Sequence, residues 1–432
     1  MSRPGDPHPN ADVRMRGFRE RATVESALEW LDAQLPQSDL DRDGPPSVGL
    51  SRDSRPRESV SITDAAGRVL AEDVVSRVDV PQFRRAMMDG YAVRADDTHG
   101  ASTYNRLPLE VIGVCLPGAP SDQQVEPGSA MPIMTGALLP AGADAVLPAE
   151  IAELRDQRVL ALDAVAEGKH VGAVGEDVRA GETVLAAGRL LRPQDVGLLS
   201  SIGVATVSVI ARPRVRIVVT GNELLPPGST PHGCQIADAN GPMLAALVER
   251  DGGRVDNPGI VPDDREAITD ALQTEADVVL VSGGSSVGQE DHVPTLLAQQ
   301  GELAIHGIAM RPSSPTGMGR LQGRLVFLLP GNPTSCLCAY DFFAGRAIRA
   351  LGGRPREWPY RSIVAPLARK LVSTVGRVDY ARVRFLAGKI EPLAIGGASV
   401  LSSTTRADGF VIIPADSEGF GEGSTVTAQL YD

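Results

Sequence analysis

No apolar run in the sequence approaches the roughly 18 to 20 residues that a membrane-spanning helix needs, and charged residues make up 22% of the 432 positions. A soluble chain without a membrane partner is expected. Cysteine is scarce. Cys115, Cys234, Cys336 and Cys338 show no paired metal-ligand spacing, which favours a reduced, cytoplasmic protein over a disulfide or zinc framework. Net positive charge is lacking too: 42 Lys and Arg face 54 Asp and Glu, for a formal charge of −12. That argues against nucleic acid as a general partner, because a phosphate backbone demands a basic face. An anionic substrate would instead need a locally basic pocket. Histidine is equally sparse, at six residues. His292, beside Asp291, has no second histidine at ligand spacing and reads as structural. The stretch 1-21 has no apolar core, so it is no secretory signal and is expected to be a disordered tail.

Glycine and proline are abundant, at 46 and 33 residues, which implies many turns and β-rich parts. The length implies several compact units. Val24, Ala27, Leu28, Leu31 and Leu35 recur at helical spacing behind Thr23, a plausible N-cap. Short alternating runs between Val78 and Val171, separated by Pro and Gly, read as a β domain. From Arg214 to Asn332, apolar strand-like runs at Val215, Val278 and Val326 alternate with helix patterns at Met243, Arg265 and Val293. That order implies a parallel, doubly wound sheet. A long helix is expected from Pro333 to Leu351. Beyond the break at Gly352, alternation returns and a small C-terminal β-barrel or sandwich is expected.

Three unusual loops follow three of those strands: Thr220-Gly221-Asn222-Glu223, Ser282-Gly283-Gly284-Ser285-Ser286, and Pro330-Gly331-Asn332-Pro333. Ligands of open parallel sheets bind outside the carboxyl ends of the strands, so the loops should converge on one site. Gly283 and Gly284 let backbone N–H groups approach a ligand, while Ser282, Ser285 and Ser286 add hydroxyls. Asn332 and Pro333 suit the start of a helix, a second anion site. Glu223, Asp263 and Asp291 fall near these loops, where carboxylates can hold Mg²⁺ against phosphate oxygens. Each also has a plainer reading as a cap or surface charge. Arg377, Arg382, Arg384 and Arg406 read either as a solvated stripe or as phosphate contacts, Arg382 and Arg384 sharing a strand face.

These loops resemble those of the MoeA and gephyrin E-domain family. So do Met88-Asp89-Gly90-Tyr91-Ala92-Val93-Arg94, Ile133-Met134-Thr135-Gly136, Gly175-Glu176-Asp177-Val178, Gln235-Ile236 with Asn240, Gly376-Arg377, and Leu401-Ser402-Ser403. The resemblance covers roughly residues 58 to 430. It implies a multi-domain α/β plus β fold: a discontinuous domain I (22-82 and 173-211), a β-rich insertion domain II (83-172), a doubly wound, MogA-like α/β domain III (212-353) and a C-terminal β-barrel domain IV (357-432). It further implies a molybdopterin molybdenumtransferase that takes adenylylated molybdopterin (molybdopterin-AMP) and molybdate, uses Mg²⁺ and releases AMP. A homodimer is implied, with the molybdopterin adenylyltransferase as a further partner. By matching position, Asp89, Thr135 and Asp177 would come from one subunit, and Glu223, Asp263, Asp291 and Ser403 from the other. Glu223 and Asp291 are the metal candidates. Thr220, Gly221, Ser282, Gly283, Gly284, Ser285, Ser286, Arg311, Pro330, Gly331, Asn332, Arg382 and Ser403 are the substrate-binding candidates.

The departures from the family pattern cluster in one loop. Where relatives usually read AMKPGKP, this chain has Ala309-Met310-Arg311-Pro312-Ser313-Ser314-Pro315, and the often basic neighbouring position is Gly307. Two positive charges are missing from the presumed anion pocket. The alternatives to the transferase are a non-catalytic, gephyrin-like dimeric scaffold and a relative with altered oxyanion or pterin use.

Overall fold

The computed structural model describes residues 21–36, 55–284 and 292–431. The chain forms two compact units, one of Ser59–Ala66 with Glu72–Val207, the other of Met1–Glu58, Gly67–Ala71 and Ser208–Asp432. The polar stretch read as a tail lies outside the described residues up to position 20.

At the centre of the second unit, strands Arg214–Thr220, Val278–Ser282 and Arg324–Leu329 lie side by side in parallel. Arg254–Asp256 and Ile260–Val261 extend the parallel part beyond Arg214–Thr220. Successive side chains of a strand point to opposite faces, and here both faces are apolar. Val215, Ile217, Val219, Leu280, Phe327 and Leu329 enter one core, while Val218, Val279, Val281, Val326 and Leu328 enter another. Each fully buried side chain of this size contributes about 1.5–3 kcal/mol. Helices cover both faces, with Val24–Gln34 and Asn240–Arg250 over the first core and Arg265–Gln273 and His292–Gln300 over the second.

Beyond Arg324–Leu329 the sheet is antiparallel, which corrects the expectation of a wholly parallel one. Gly317–Leu321 and then Glu302–His306 complete that edge. The reason is local. Gln322 and Gly323 both take positive φ, 51° and 85°, as a two-residue hairpin turn of the primed type requires. A connection that short can only return the chain antiparallel.

The expected long helix begins at Pro333 and runs to Leu351, with a π-helical turn over Tyr340–Ala344. That turn carries buried Asp341, which accepts from the Tyr360 hydroxyl at 2.9 Å and pairs with Arg250 at 3.3 Å. Phe410 stacks on Tyr380 at 4.2 Å, and Trp358 meets Phe342 edge-on at 5.2 Å. This aromatic seam joins the α/β core to the C-terminal β domain, where Arg361–Pro366, Val378–Leu386, Lys389–Ala394, Gly409–Ile413 and Thr425–Leu430 pair antiparallel. Met310–Arg311 joins Val378–Leu386 in parallel, so one loop of the α/β part is also an edge of the C-terminal sheet.

The other unit holds a six-stranded sheet running Ala145–Pro148, Gly90–Val93, Ser129–Ile133, Leu107–Val111, Arg158–Ala161 and Ala152–Arg155. Its helix Pro193–Ser201 starts on buried Asp195. That carboxylate accepts a fork from Arg189 at 2.9 and 3.0 Å and the Arg192 backbone N–H at 2.9 Å. The Arg189 hydrogen bonds, with those of Arg192, hold its pKa well below the ordinary carboxylate range. The folded state thus binds this proton less readily than the unfolded chain. The resulting stability is fully present above about pH 4, the unfolded value, and is lost as pH falls towards the depressed folded value. Asp195→Asn should therefore lower the unfolding midpoint at pH 7, and the gap from wild type should narrow in titrations carried below pH 4. A gap independent of pH would show that the charge of Asp195 is not what stabilises the helix.

Candidate functional site

The loops at the carboxyl ends of the parallel strands meet around a cavity of about 370 Å³ lined by Thr220, Gly221, Glu223, Asp263, Gly283, Gly284, Pro315, Pro330, Gly331 and Asn332. The Thr220 hydroxyl donates to Asp263 at 3.1 Å. Gly283 has φ of 95°, and a Cβ there would stand 2.1 Å from the Thr220 carbonyl oxygen. Only glycine lets the loop after Val278–Ser282 lie this close to the end of Arg214–Thr220. Ser285, Ser286 and Asp291 lie outside the described residues.

Ser282 does not offer its hydroxyl to the cavity. It is 1% exposed, and its Oγ accepts from the Asn240 amide at 2.8 Å. The same amide donates to the Gly331 carbonyl at 2.7 Å. Asn240, at the start of helix Asn240–Arg250, therefore ties the end of Val278–Ser282 to the loop after Arg324–Leu329. Sequence reasoning noted Asn240 only within a motif. An Asn at the start of a helix pattern, two residues after Asp238, was the available signal. Asp238 completes this turn by accepting from the Gly241 N–H at 2.8 Å.

A second cavity, of about 660 Å³, shares Pro315, Pro330 and Asn332 with the first. Arg21, Arg311, Ser313, Ser314 and Arg377 line it, and no acidic side chain does so among the described residues. Behind its wall sits Asp379, fully buried, paired to Arg311 and to Arg377 at 3.2 Å and accepting from the Ser373 hydroxyl at 2.7 Å. Ser313 adopts φ of 85°, in the left-handed region that favours glycine. Its hydroxyl donates to the Ser335 carbonyl, while Ser314 Oγ is buried without a hydrogen-bond partner.

Arg382 is a correction. It shares a face with Arg384, but it is 0% exposed and donates to the Gly396 carbonyl, whereas Arg384 is exposed. The face turns inward at Tyr380 and Arg382, towards the aromatic seam, so Arg382 is no solvated phosphate contact as it stands. Burial lowers its pKa. Arg406 donates to the Ser402 hydroxyl at 3.2 Å, and Ser403 Oγ bonds the Val400 carbonyl at 2.6 Å. Neither Ser403 nor Arg382 lines the two cavities.

In the other unit, Asp89 and Thr135 meet. The Thr135 backbone N–H and hydroxyl donate to one oxygen of the exposed Asp89 at 2.7 and 2.8 Å, and hold its carboxyl below its ordinary pKa. Asp177 is exposed on another loop, its backbone N–H bonded to the Val80 carbonyl at 3.0 Å.

The geometry is that of an open-sheet α/β protein whose strand-end loops form adjoining acidic and basic cavities. Comparison with known proteins narrows the class. Residues 22–203 match the MoeA N-terminal region (domain I and II), 216–350 the probable molybdopterin binding domain, and 364–431 the MoeA C-terminal region (domain IV). The chain is 35% identical to molybdopterin molybdenumtransferase 2 of Mycobacterium tuberculosis over 370 residues, covering 83% of this chain and 91% of that one. It is 32% identical to the molybdopterin molybdenumtransferase of Haemophilus influenzae over 387 residues, covering 87% and 94%. A crystal structure of the molybdopterin biosynthesis MoeA protein of Pyrococcus horikoshii superposes with a TM-score of 0.76 at 34% identity, over 95% of this chain and 99% of that one. The chain belongs to the MoeA family of molybdenum cofactor biosynthesis proteins.

The Asn240 fork yields a prediction. Asn240→Ala leaves the Ser282 hydroxyl and the Gly331 carbonyl without their shared donor, a loss of about 1–3 kcal/mol. Denaturant unfolding should show that loss, and hydrogen exchange should rise in both loops together. Exchange rising in only one of them would break the proposed link.

Proposed function

We propose that this chain is a molybdopterin molybdenumtransferase, which inserts molybdate-derived molybdenum into adenylylated molybdopterin with release of AMP. The observation that carries the reading is the pair of adjoining cavities of opposite charge at the strand ends of the α/β part. Phosphates of the substrate would lie on the loops Thr220–Glu223 and Gly283–Gly284, where the absent side chain of Gly283 leaves the backbone open to close approach. Glu223 and Asp263 bring two carboxylates to that cavity, and no basic side chain lines it among the described residues. Anionic phosphate cannot sit beside two carboxylates without a cation. The donor set is hard oxygen, which suits Mg²⁺ held by one or two carboxylates together with substrate phosphates.

Glu223 and Asp263 are therefore the metal-binding residues of this reading, with Asp291 proposed from its sequence position. Mg²⁺, when bound, supplies charge neutralisation at the phosphates. Thr220 orients Asp263 through its hydroxyl. In the scission, an oxygen of water enters at one phosphorus while the bridging oxygen leaves with the other. Arg311 and Arg377, held by Asp379, face the neighbouring cavity and would bind the molybdate oxyanion, Pro315 and Pro330 placing it next to the phosphates.

The proposed active form is a homodimer, in which Asp89, Thr135 and Asp177 of one subunit complete the cleft of the other. The domain division 22-82 with 173-211, 83-172, 212-353 and 357-432 belongs to the same reading. A reducing cytoplasm suits three buried free thiols, Cys115, Cys336 and Cys338. No helix among the described residues is long and apolar enough to cross a membrane. The adenylyltransferase that makes the substrate is the proposed donor partner.

Incubation with adenylylated molybdopterin, Mg²⁺ and molybdate should release AMP, and Glu223→Gln or Asp263→Asn should each cut the rate at least about 100-fold with the fold retained. No AMP release by the wild-type chain would favour the scaffold instead. Light scattering at micromolar concentration should give twice the chain mass. A stable monomer that turns over substrate would exclude the shared cleft.

A further inference from the structure

Of the three arginines lining the larger cavity, two come from the segments that form its wall. Arg311 and Arg377 share the buried carboxylate of Asp379, which offsets one of their two charges. After Arg311, the loop adds only serines. Ser313 gives its hydroxyl to the Ser335 carbonyl, and Ser314 brings a neutral, unpartnered hydroxyl. The wall segments alone thus present about half the charge of a dianion.

The third arginine, Arg21, arrives from a distant part of the sequence. Ala22 pairs with Ile308 as a parallel β-bridge: its N–H donates to the Gly307 carbonyl at 3.0 Å, and its carbonyl accepts from the Ala309 N–H at 2.8 Å. Directly after it, Thr23 caps helix Val24–Gln34 by accepting from the Ser26 N–H at 3.1 Å. That helix is anchored twice, by Val24, Ala27 and Leu31 in the α/β core and by a bidentate pair of Asp32 with Arg346 at 2.7 and 2.8 Å. Arg21 directly precedes this two-sided hydrogen-bonded bridge and the docked helix behind it, so the chain is fixed immediately on its C-terminal side, at the edge of the cavity its side chain lines.

We propose that Arg21 is an oxyanion-binding residue of this cavity, supplying from the N-terminal segment the positive charge that the loop Arg311–Pro315 lacks. The proposal rests on reading the larger cavity as the molybdate site. Delivery through Ala22 matters because the bridge fixes Arg21 against the same loop that carries Arg311. Arg21 is exposed, so its contribution is that of a solvent-screened charge, small but sensitive to salt.

The test titrates molybdate directly, by calorimetry on the full chain, and in parallel as the half-saturating concentration for AMP release. Arg21→Ala should weaken molybdate binding about three- to fivefold, the range of an exposed charge contact. Arg21→Lys should recover most of it, and adding Ser314→Lys to Arg21→Ala should restore binding by placing a cation in the same cavity. The loss should shrink in about 1 M salt. Unchanged binding in Arg21→Ala, or a loss that lysine does not rescue and that tracks a lowered unfolding midpoint, would overturn the assignment. So would a wild-type chain that binds no molybdate. A wild-type chain that binds molybdate through Arg21 but releases no AMP would uphold this assignment while refuting the transferase.

Discussion

Burial of the central sheet on both faces is the constraint on which the rest of the molecule depends. Val278–Ser282 has every residue buried, and its neighbours Arg214–Thr220 and Arg324–Leu329 are nearly as enclosed. A strand in that position cannot carry an unpaired polar side chain without a desolvation cost of several kcal/mol. Polar chemistry is therefore driven to the strand ends, and parallel direction puts three of those ends on one side. The last positions of the strands show the transition. Thr220 is buried but spends its hydroxyl on Asp263, and Ser282 is buried but accepts from Asn240.

That constraint explains what was legible in the sequence. Runs such as Val215 to Val219 and Val278 to Val281 can hardly be anything but buried strands, and the loops after them are recognisable because glycine and proline interrupt an apolar pattern. The antiparallel edge was less visible, since it hangs on the Gln322-Gly323 turn, and glutamine is an unusual occupant of a positive-φ position. Arg382 misled for a different reason. Strand periodicity assigns residues to a face but does not say what covers it, and here Tyr380 and Phe410 draw that face against the helix carrying Asp341. Arg21 was read as part of a tail because nothing in a polar, Arg-containing stretch announces a bridge made through backbone atoms of Ala22. The placement of Glu223 beside Asp263 likewise depends on two strands brought together by the fold.

Asp379 connects the two halves of the larger unit electrically as well as mechanically. It stands opposite Arg311 in the parallel pairing that makes Met310–Arg311 an edge of the C-terminal sheet, and it also holds Arg377 and Ser373. One buried carboxylate thus faces two arginines, and removing it would leave Arg311 and Arg377 close together without their shared counter-charge. The loop carrying Arg311 is thereby held by the C-terminal sheet, although its residues belong to the α/β part.

The two cavities then pose a problem that their common wall resolves. Acidic Glu223 and Asp263 lie on one side and the arginines on the other, and flexible side chains of opposite sign tend to pair and neutralise one another. Pro315, Pro330 and Asn332 stand in the lining of both cavities. Proline has a fixed φ and no N–H, so Pro315 and Pro330 give that common wall a stiff, uncharged stretch. Asp379 adds to the separation by engaging Arg311 and Arg377 from behind, which lowers their tendency to reach across. The carboxylates thus line one chamber and the arginines the next, which is the arrangement that the proposed reading, with a cation and phosphates in one and an oxyanion in the other, requires.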